Sequence, residues 1–228
     1  MTAPFPVVFA VYPGVTQLDF TAPWEVFARL PGARCLLASS SGEDLVAEGG
    51  LTFTRVQRLR ELESCALLCV PGGLGTIEAM EDQELLAQIR RLAGTARFVV
   101  SVCTGALVLG AAGLLQGRRA TTHWAWREGL SAFGATSTAA RVVRDGPVFS
   151  GGGVTAGIDV ALTVLAELAG ETFAQSVQLG LEYAPAPPFA AGLPEDVSPE
   201  VLALAQQRVA PLLDAREAAI RRAAARMA

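Results

Sequence analysis

The chain has 228 residues, of which 51% are hydrophobic, 18% charged and 7% aromatic. That is enough for one large domain with a substantial core, and it excludes a disordered, collagenous or coiled-coil protein. The net charge is −4, from 18 basic residues, all of them arginine, and 22 acidic residues spread along the chain. With no basic cluster to meet a phosphate backbone, no nucleic-acid partner is expected.

Strand-like and helix-like segments alternate from the start. Pro6–Tyr12 is a short apolar run closed by Pro13-Gly14 and reads as a buried strand. Ala22–Leu30 is expected to be a helix, with Thr21 as its N-cap and Pro23 in its first turn. Arg34–Ser39 and the alternating Leu51–Val56 read as two further strands. Ala66–Val70 is wholly apolar and ends in Pro71-Gly72-Gly73. Gln83–Ala93 is an amphipathic helix with Leu85, Leu86, Ile89 and Leu92 on one face.

The apolar strand Phe98–Val102 runs through Cys103 into a helix over Ala106–Leu115. Arg141–Ser150 has the pattern of a hairpin around Asp145-Gly146, and helices are expected over Ala156–Leu168 and Thr172–Glu182. Ala184–Leu193, rich in Pro and Ala, reads as a linker. Two helical segments, Ser198–Val209 and Pro211–Met227, follow, the first capped by Ser198 with Pro199 at its first position. This order predicts an α/β fold with a mostly parallel sheet covered on both faces, in which ligands bind beyond the carboxyl ends of the strands. Residues 1–185 are expected to form the main domain and 186–228 a linker and helical extension of it.

Mean hydropathy is +0.39, yet no apolar run reaches the roughly 18 residues of a membrane span. The N-terminus has no basic segment ahead of its apolar run, so a cytoplasmic protein with no membrane partner is expected. Cys35, Cys65, Cys69 and Cys103 form no CxxC pair and are expected to be reduced thiols. His123 is the only histidine, too few nitrogen ligands for a zinc site, so no metal site is expected.

Three strand ends carry residues suited to chemistry. In Ser101-Val102-Cys103-Thr104-Gly105 the small residues two before and two after the Cys permit a sharp strand-to-helix turn. A Cys at a helix N-terminus meets unsatisfied N–H groups and the positive end of the helix dipole, which favour the thiolate. The other three cysteines lie in or beside apolar strands and read as packing.

Gly72 and Gly73 allow close backbone approach and, with Thr104, could supply N–H groups for an oxyanion; a plain tight turn accounts for them equally well. Asp19, between Leu18 and Phe20, is either a desolvated acid suited to proton exchange or a turn-capping residue. His123 is either a neutral-pH acid–base or a packed histidine. Trp24, Trp124 and Trp126 either line an apolar pocket or fill core or an oligomer face.

Taken together, Asp19…Ala22-Pro23-Trp24-Glu25-Val26-Phe27, Pro71-Gly72-Gly73, Ser101–Gly105, Gly117–Trp124 and Ser150–Asp159 resemble the ThiJ/PfpI superfamily, of the class I glutamine amidotransferase-like fold, over roughly residues 5–185. Within it, an Asp followed by Cys-Thr, together with the helical tail, looks most like the bacterial isonitrile hydratases. The resemblance implies a flavodoxin-like three-layer sandwich, usually a homodimer, with Cys103 as nucleophile on a strained elbow and Asp19 as its acidic partner. Thr104 matches a residue that helps hold water or substrate, and His123 a histidine found near the site in several relatives.

Protease-like members carry a His directly after the Cys, where this chain has Thr104; peptide hydrolysis and glutaminase chemistry are therefore not expected. The implied activity is addition of water to an isonitrile, giving an N-substituted formamide, without a cofactor and on a small-molecule substrate. Two alternatives share the same elbow. One is a non-catalytic thiol or ligand sensor related to the sensor domain of AraC-type regulators. The other is a glyoxalase-like enzyme acting on small carbonyls.

Overall fold

The computed structural model describes residues 4–227. In chain order it runs β1 (Phe5–Ala10), α1 (Gln17–Phe27), β2 (Ala33–Ser39), β3 (Leu45–Val46), β4 (Thr52–Phe53), β5 (Gln57–Arg58) and β6 (Leu67–Val70). Then come α2 (Thr76–Ala79), α3 (Gln83–Ala93), β7 (Phe98–Val102), α4 (Gly105–Ala111), β8 (Arg119–Ala120), a 3-10 segment (Trp124–Phe133) and β9 (Thr136–Ser137). The chain closes with β10 (Val142–Asp145), β11 (Val148–Gly151), α5 (Ala156–Ala169), α6 (Glu171–Gly180) and α7 (Pro199–Ala225).

The main sheet has the order β10-β11-β7-β6-β1-β2-β5. Every neighbouring pair is parallel except the β10–β11 hairpin. Because side chains alternate across a strand, the continuous apolar runs feed two cores at once. Val8, Ala10, Leu68 and Val70 point to the face packed by α3, α4 and α7. Val7, Phe9, Leu67 and Cys69 point to the face packed by α1, α5 and α6. The expected three-layer α/β sandwich is what the chain forms.

Several local expectations are corrected. The first helix begins at Gln17 and ends at Phe27, not Ala22–Leu30, so Asp19 and Thr21 lie inside it. Thr21 is no cap: its hydroxyl donates to Gln17 Oε1 at 2.8 Å. Pro23 sits at the seventh helical position, where its missing N–H leaves the Asp19 carbonyl without an intrahelical donor. Only Thr52–Phe53 of the expected Leu51–Val56 strand is extended, and it pairs with β3 outside the main sheet.

The edge position beside β2 is taken instead by β5, a two-residue strand too short to signal itself in sequence. The two expected tail helices are one, α7, which continues through Pro211. Its apolar stripe, packed on the 3-10 segment, α2 and α4, holds it together across the proline.

Strand order reverses between β1 and β6: β2 lies on one side of β1, and β6, β7 and β11 follow on the other. The carboxyl ends of β1, β6 and β7 therefore open onto the crevice where this architecture places its ligands. These are the ends that lead to Asp19, Gly72 and Cys103.

Candidate active site

Cys103 follows directly on β7, whose five residues are all buried. Its φ is +55°, the left-handed region that a side chain bearing a Cβ rarely occupies. Such backbone persists only where its surroundings over-determine it. Here Cys103 N donates to Gly151 O at 3.1 Å, and Thr122 Oγ1 donates to Cys103 O at 2.8 Å. Gly105 opens α4 so close to β6 that a Cβ on it would stand 2.1 Å from Val70 O. The elbow is thus held on three sides, with Cys103 5% exposed.

Asp19 reaches the elbow from the first turn of α1 and is fully buried. The start of that helix is stitched to the turn after β6: Val15 bridges Gly73, and Thr16 N donates to Gly72 O at 2.9 Å. In return Gly72 N donates to Asp19 Oδ2 at 2.9 Å. Oδ1 has no hydrogen-bond partner among the described residues. Gly73 N donates to Thr104 Oγ1 at 3.0 Å. A Cβ on Gly72 would fall 2.5 Å from Thr104 N, so only glycine lets this turn lie against the elbow.

Two expected roles change as a result. Gly72 and Gly73 do not present free oxyanion donors, because both N–H groups are engaged in holding Asp19 and Thr104. Thr104 was expected to hold water or substrate, yet its hydroxyl accepts from Gly73 N and is 2.8 Å from Thr76 Oγ1. Thr76 gives its own proton to Gly73 O at 2.7 Å, which makes Thr104 the donor in that pair. Its hydroxyl is a strut of the turn.

The electrostatics differ from the expected resting thiolate. Burial, then the neighbouring Asp19, push the Cys103 thiol well above its ordinary range, against the Thr104 N–H and Arg216, which favour the thiolate. The one-turn-plus helix α4 does not outweigh that desolvation. Burial likewise lifts the Asp19 carboxyl to about 7, against the Gly72 N–H bond and the nearby Cys103 thiol. With both charged forms disfavoured, the acid and the thiol keep their protons to higher pH than either would in water.

His123 and Trp124 line a cavity of ≈ 380 Å³ with Arg127, Arg141, Leu193 and Glu195. Thr122 and Gly152 place it beside the elbow, since Thr122 bonds Cys103 O and Gly152 follows the acceptor Gly151. Burial, then Arg216 and Arg127, hold the His123 imidazole below its usual value. Its Nδ1 accepts from Ala125 N at 3.3 Å, capping the 3-10 segment. His123 is therefore a neutral wall residue.

Trp24 is not part of this cavity. It lies in a separate groove of ≈ 710 Å³ with Leu18, Leu37, Phe53 and Tyr183, because α1 turns that side of Trp24 away from the strand ends. Trp126 is buried in the core beneath α7. Among the described residues, no group of three His, Cys, Asp or Glu stands together as a metal site.

Sequence reasoning missed three buried polar residues at the site. Tyr12 donates its hydroxyl to Pro71 O at 2.6 Å; its place at the end of β1 beside Pro13-Gly14 was the available signal. Thr76 braces Gly73 and Thr104 and had none. Arg216 donates to Gly73 O at 3.2 Å from α7, across a sequence distance no local pattern bridges.

The DJ-1/PfpI family model matches residues 6–167. The isonitrile hydratase of Pseudomonas putida is 50% identical over 222 residues, 96% of both chains. The transcriptional regulator CdhR of Pseudomonas aeruginosa is 30% identical over 179 residues, which span 74% of this chain and 52% of the regulator. A crystal structure of a ThiJ/PfpI family protein from Pseudomonas syringae superposes with a TM-score of 0.92 at 37% identity, covering 96% of this chain and 91% of that one. With the elbow, its buried acid and the sandwich that carries them all in place, the chain belongs to the DJ-1/PfpI family.

Proposed function

We propose that this chain is an isonitrile hydratase, a lyase that adds water to R–N≡C to give R–NH–CHO, with Cys103 as nucleophile and Asp19 as the proton carrier. Identity of 50% across nearly the whole length of the Pseudomonas putida enzyme supports the reaction. The observation that carries the residue assignment is the strained Cys103 beside a buried Asp19 whose carboxyl burial lifts to about 7.

The terminal isonitrile carbon must gain both a nucleophile and a proton. Sulfur adds to it while the single proton shared by Asp19 and Cys103 passes to the same carbon, giving the thioimidate R–N=CH–S–Cys103 and an Asp19 carboxylate. That carboxylate then removes a proton from water as the water oxygen adds to the carbon, and Asp19 passes this proton to the nitrogen. The resulting R–NH–CH(OH)–S–Cys103 loses the thiolate as the carbonyl forms. The hydroxyl proton returns to the Asp19–Cys103 pair, so the formamide carries one proton of water on nitrogen and the pair's original proton on carbon, and the pair is restored.

Thr104 and the Gly72-Gly73 turn keep the two reacting groups in register. His123 and Trp124 border the space open to the R group. Four unpaired cysteines, Cys35, Cys65, Cys69 and Cys103, suit a reducing compartment, and we place the chain in the cytoplasm. We also infer a homodimer, supported by the apolar groove around Trp24.

Incubation with cyclohexyl isocyanide, followed by infrared and mass spectrometry, tests the reading. Wild type is expected to remove the isocyanide stretch and form the N-formamide; Cys103→Ala is expected to do neither. Equal turnover by Cys103→Ala would refute the covalent route, and none by wild type would refute the reaction.

A further inference from the structure

Helix α7 lays Val209, Leu212, Leu213, Ala219, Ile220 and Ala223 against the core. Arg216 stands in the middle of that stripe, 3% exposed. A guanidinium is costly to remove from water and is ordinarily met there by a carboxylate. Among the described residues Arg216 makes no ion pair. Its guanidinium lies over the Trp126 ring at 4.3 Å. Its Nη2 donates to Gly73 O at 3.2 Å, and its Nε is buried without a partner.

The peptide it holds is the turn that holds the site. Gly73 N donates to Thr104 Oγ1, and Gly72 N to Asp19 Oδ2, so one arginine steadies both neighbours of Cys103. The charged and titratable groups around it come from five segments. They are Tyr12 after β1, Glu48 after β3, Glu78 on α2, Cys103 at the elbow, and His123 with Arg127 at the 3-10 segment. Asp19 on α1 faces Cys103 directly. Glu48 is exposed and bonded by Thr16 Oγ1, leaving the elbow sulfur as a buried anion-forming neighbour.

We propose that Arg216 is a positioning residue of the reaction, a buried cation that steadies the Gly72-Gly73 turn and has the Cys103 thiolate as its counter-anion. The proposal rests on the reading of Cys103 as nucleophile. Negative charge on sulfur in a dry site is opposed by Asp19 and favoured by a fixed cation that needs no reorganisation when the charge appears. A lysine keeps that charge, whereas a glutamine keeps only a neutral donor for Gly73 O.

The test is the pH dependence of Cys103 alkylation by iodoacetamide, read by peptide mass on the full-length free protein, for wild type, Arg216→Lys and Arg216→Gln. Arg216→Gln is expected to move the midpoint up by about one pH unit, so that alkylation at pH 7.5 is about tenfold slower. Arg216→Lys is expected to stay within about threefold of wild type, since it retains the cation. With cyclohexyl isocyanide, Arg216→Gln is expected to lower kcat about tenfold and leave KM within about twofold, the pattern of charge felt only as the thiolate forms.

A folded Arg216→Gln with the wild-type midpoint overturns the proposal, as does an Arg216→Lys as slow as Arg216→Gln. If Arg216→Gln does not fold, Arg216→Met, which keeps the stacking volume on Trp126, takes its place under the same criteria. A wild type that turns over isonitrile with Cys103 inert to alkylation at every pH would sink the nucleophile reading. Absence of isonitrile turnover alongside the shifted midpoint would sink the reaction and leave Arg216 in its role.

Discussion

At Asp19, burial and function pull in opposite directions. Its carboxyl is lifted by burial from 3.8 to about 7, so the folded chain binds a proton that the unfolded chain releases between those values. Folding stability therefore falls as pH rises from about 4 to about 7, and stays low above that window. Replacing Asp19 with Asn removes this term while leaving an oxygen for the Gly72 N–H. The variant is expected to be more stable than wild type at pH 8, on the order of 2–4 kcal/mol at about 1.4 kcal/mol per pKa unit. It is also expected to be inactive toward isonitriles. Urea unfolding at pH 5 and pH 8 checks the first: the gain must shrink at the lower pH, and an equal gain at both would mean that titration is not its source.

Helices α1 and α5 meet through Gly157, where a Cβ would approach Pro23 Cδ to 2.9 Å. The contact matters beyond packing, because α1 carries Asp19 and α5 follows the glycine run Gly151–Gly153 that receives the Cys103 N–H. Gly157→Val must push the helices apart. Overpacking of this kind costs about 1–3 kcal/mol, and kcat is expected to fall with stability as Asp19 shifts from the elbow. Urea unfolding beside turnover checks both, and full activity in a destabilised Gly157→Val would show that α1 is free to move without consequence. At this scale the long strands β1, β2, β6 and β7 were legible, because continuous apolar runs bounded by Pro and Gly admit few other readings, whereas the two-residue strands were not. The start of α1 was not. Thr16 gives its hydroxyl to Glu48, and its N–H to Gly72, so the helix begins where a neighbouring turn receives it.

For the whole molecule, the groove of ≈ 710 Å³ around Leu18, Trp24, Leu37 and Phe53 leaves apolar surface of the kind that proteins cover by association. Light scattering at micromolar concentration is expected to give twice the chain mass of 23.7 kDa. Leu18, 37% exposed on α1, places its substitution outside the elbow's hydrogen bonds. Leu18→Arg is expected to reduce the mass to that of one chain, and a monomeric wild type would overturn the dimer.

What the sequence by itself determined is the architecture and the position of the strained elbow at Cys103. Alternation of apolar strands with helices, and a Cys flanked by Ser101 and Gly105, are local patterns set by steric and solvation rules that act over a few residues. Only the tertiary structure decided what each polar group does. It engaged the Gly72 and Gly73 N–H groups with Asp19 and Thr104, separated Trp24 from Trp124, and by burial pushed the Cys103 thiol up where a helix end alone favours the thiolate. It also carried Arg216 from the C-terminal helix to the Gly73 carbonyl. The physical reason is the same in each case. Hydrogen-bond satisfaction and desolvation are properties of the packed interior, which brings together groups that lie 31 to 143 residues apart along the chain.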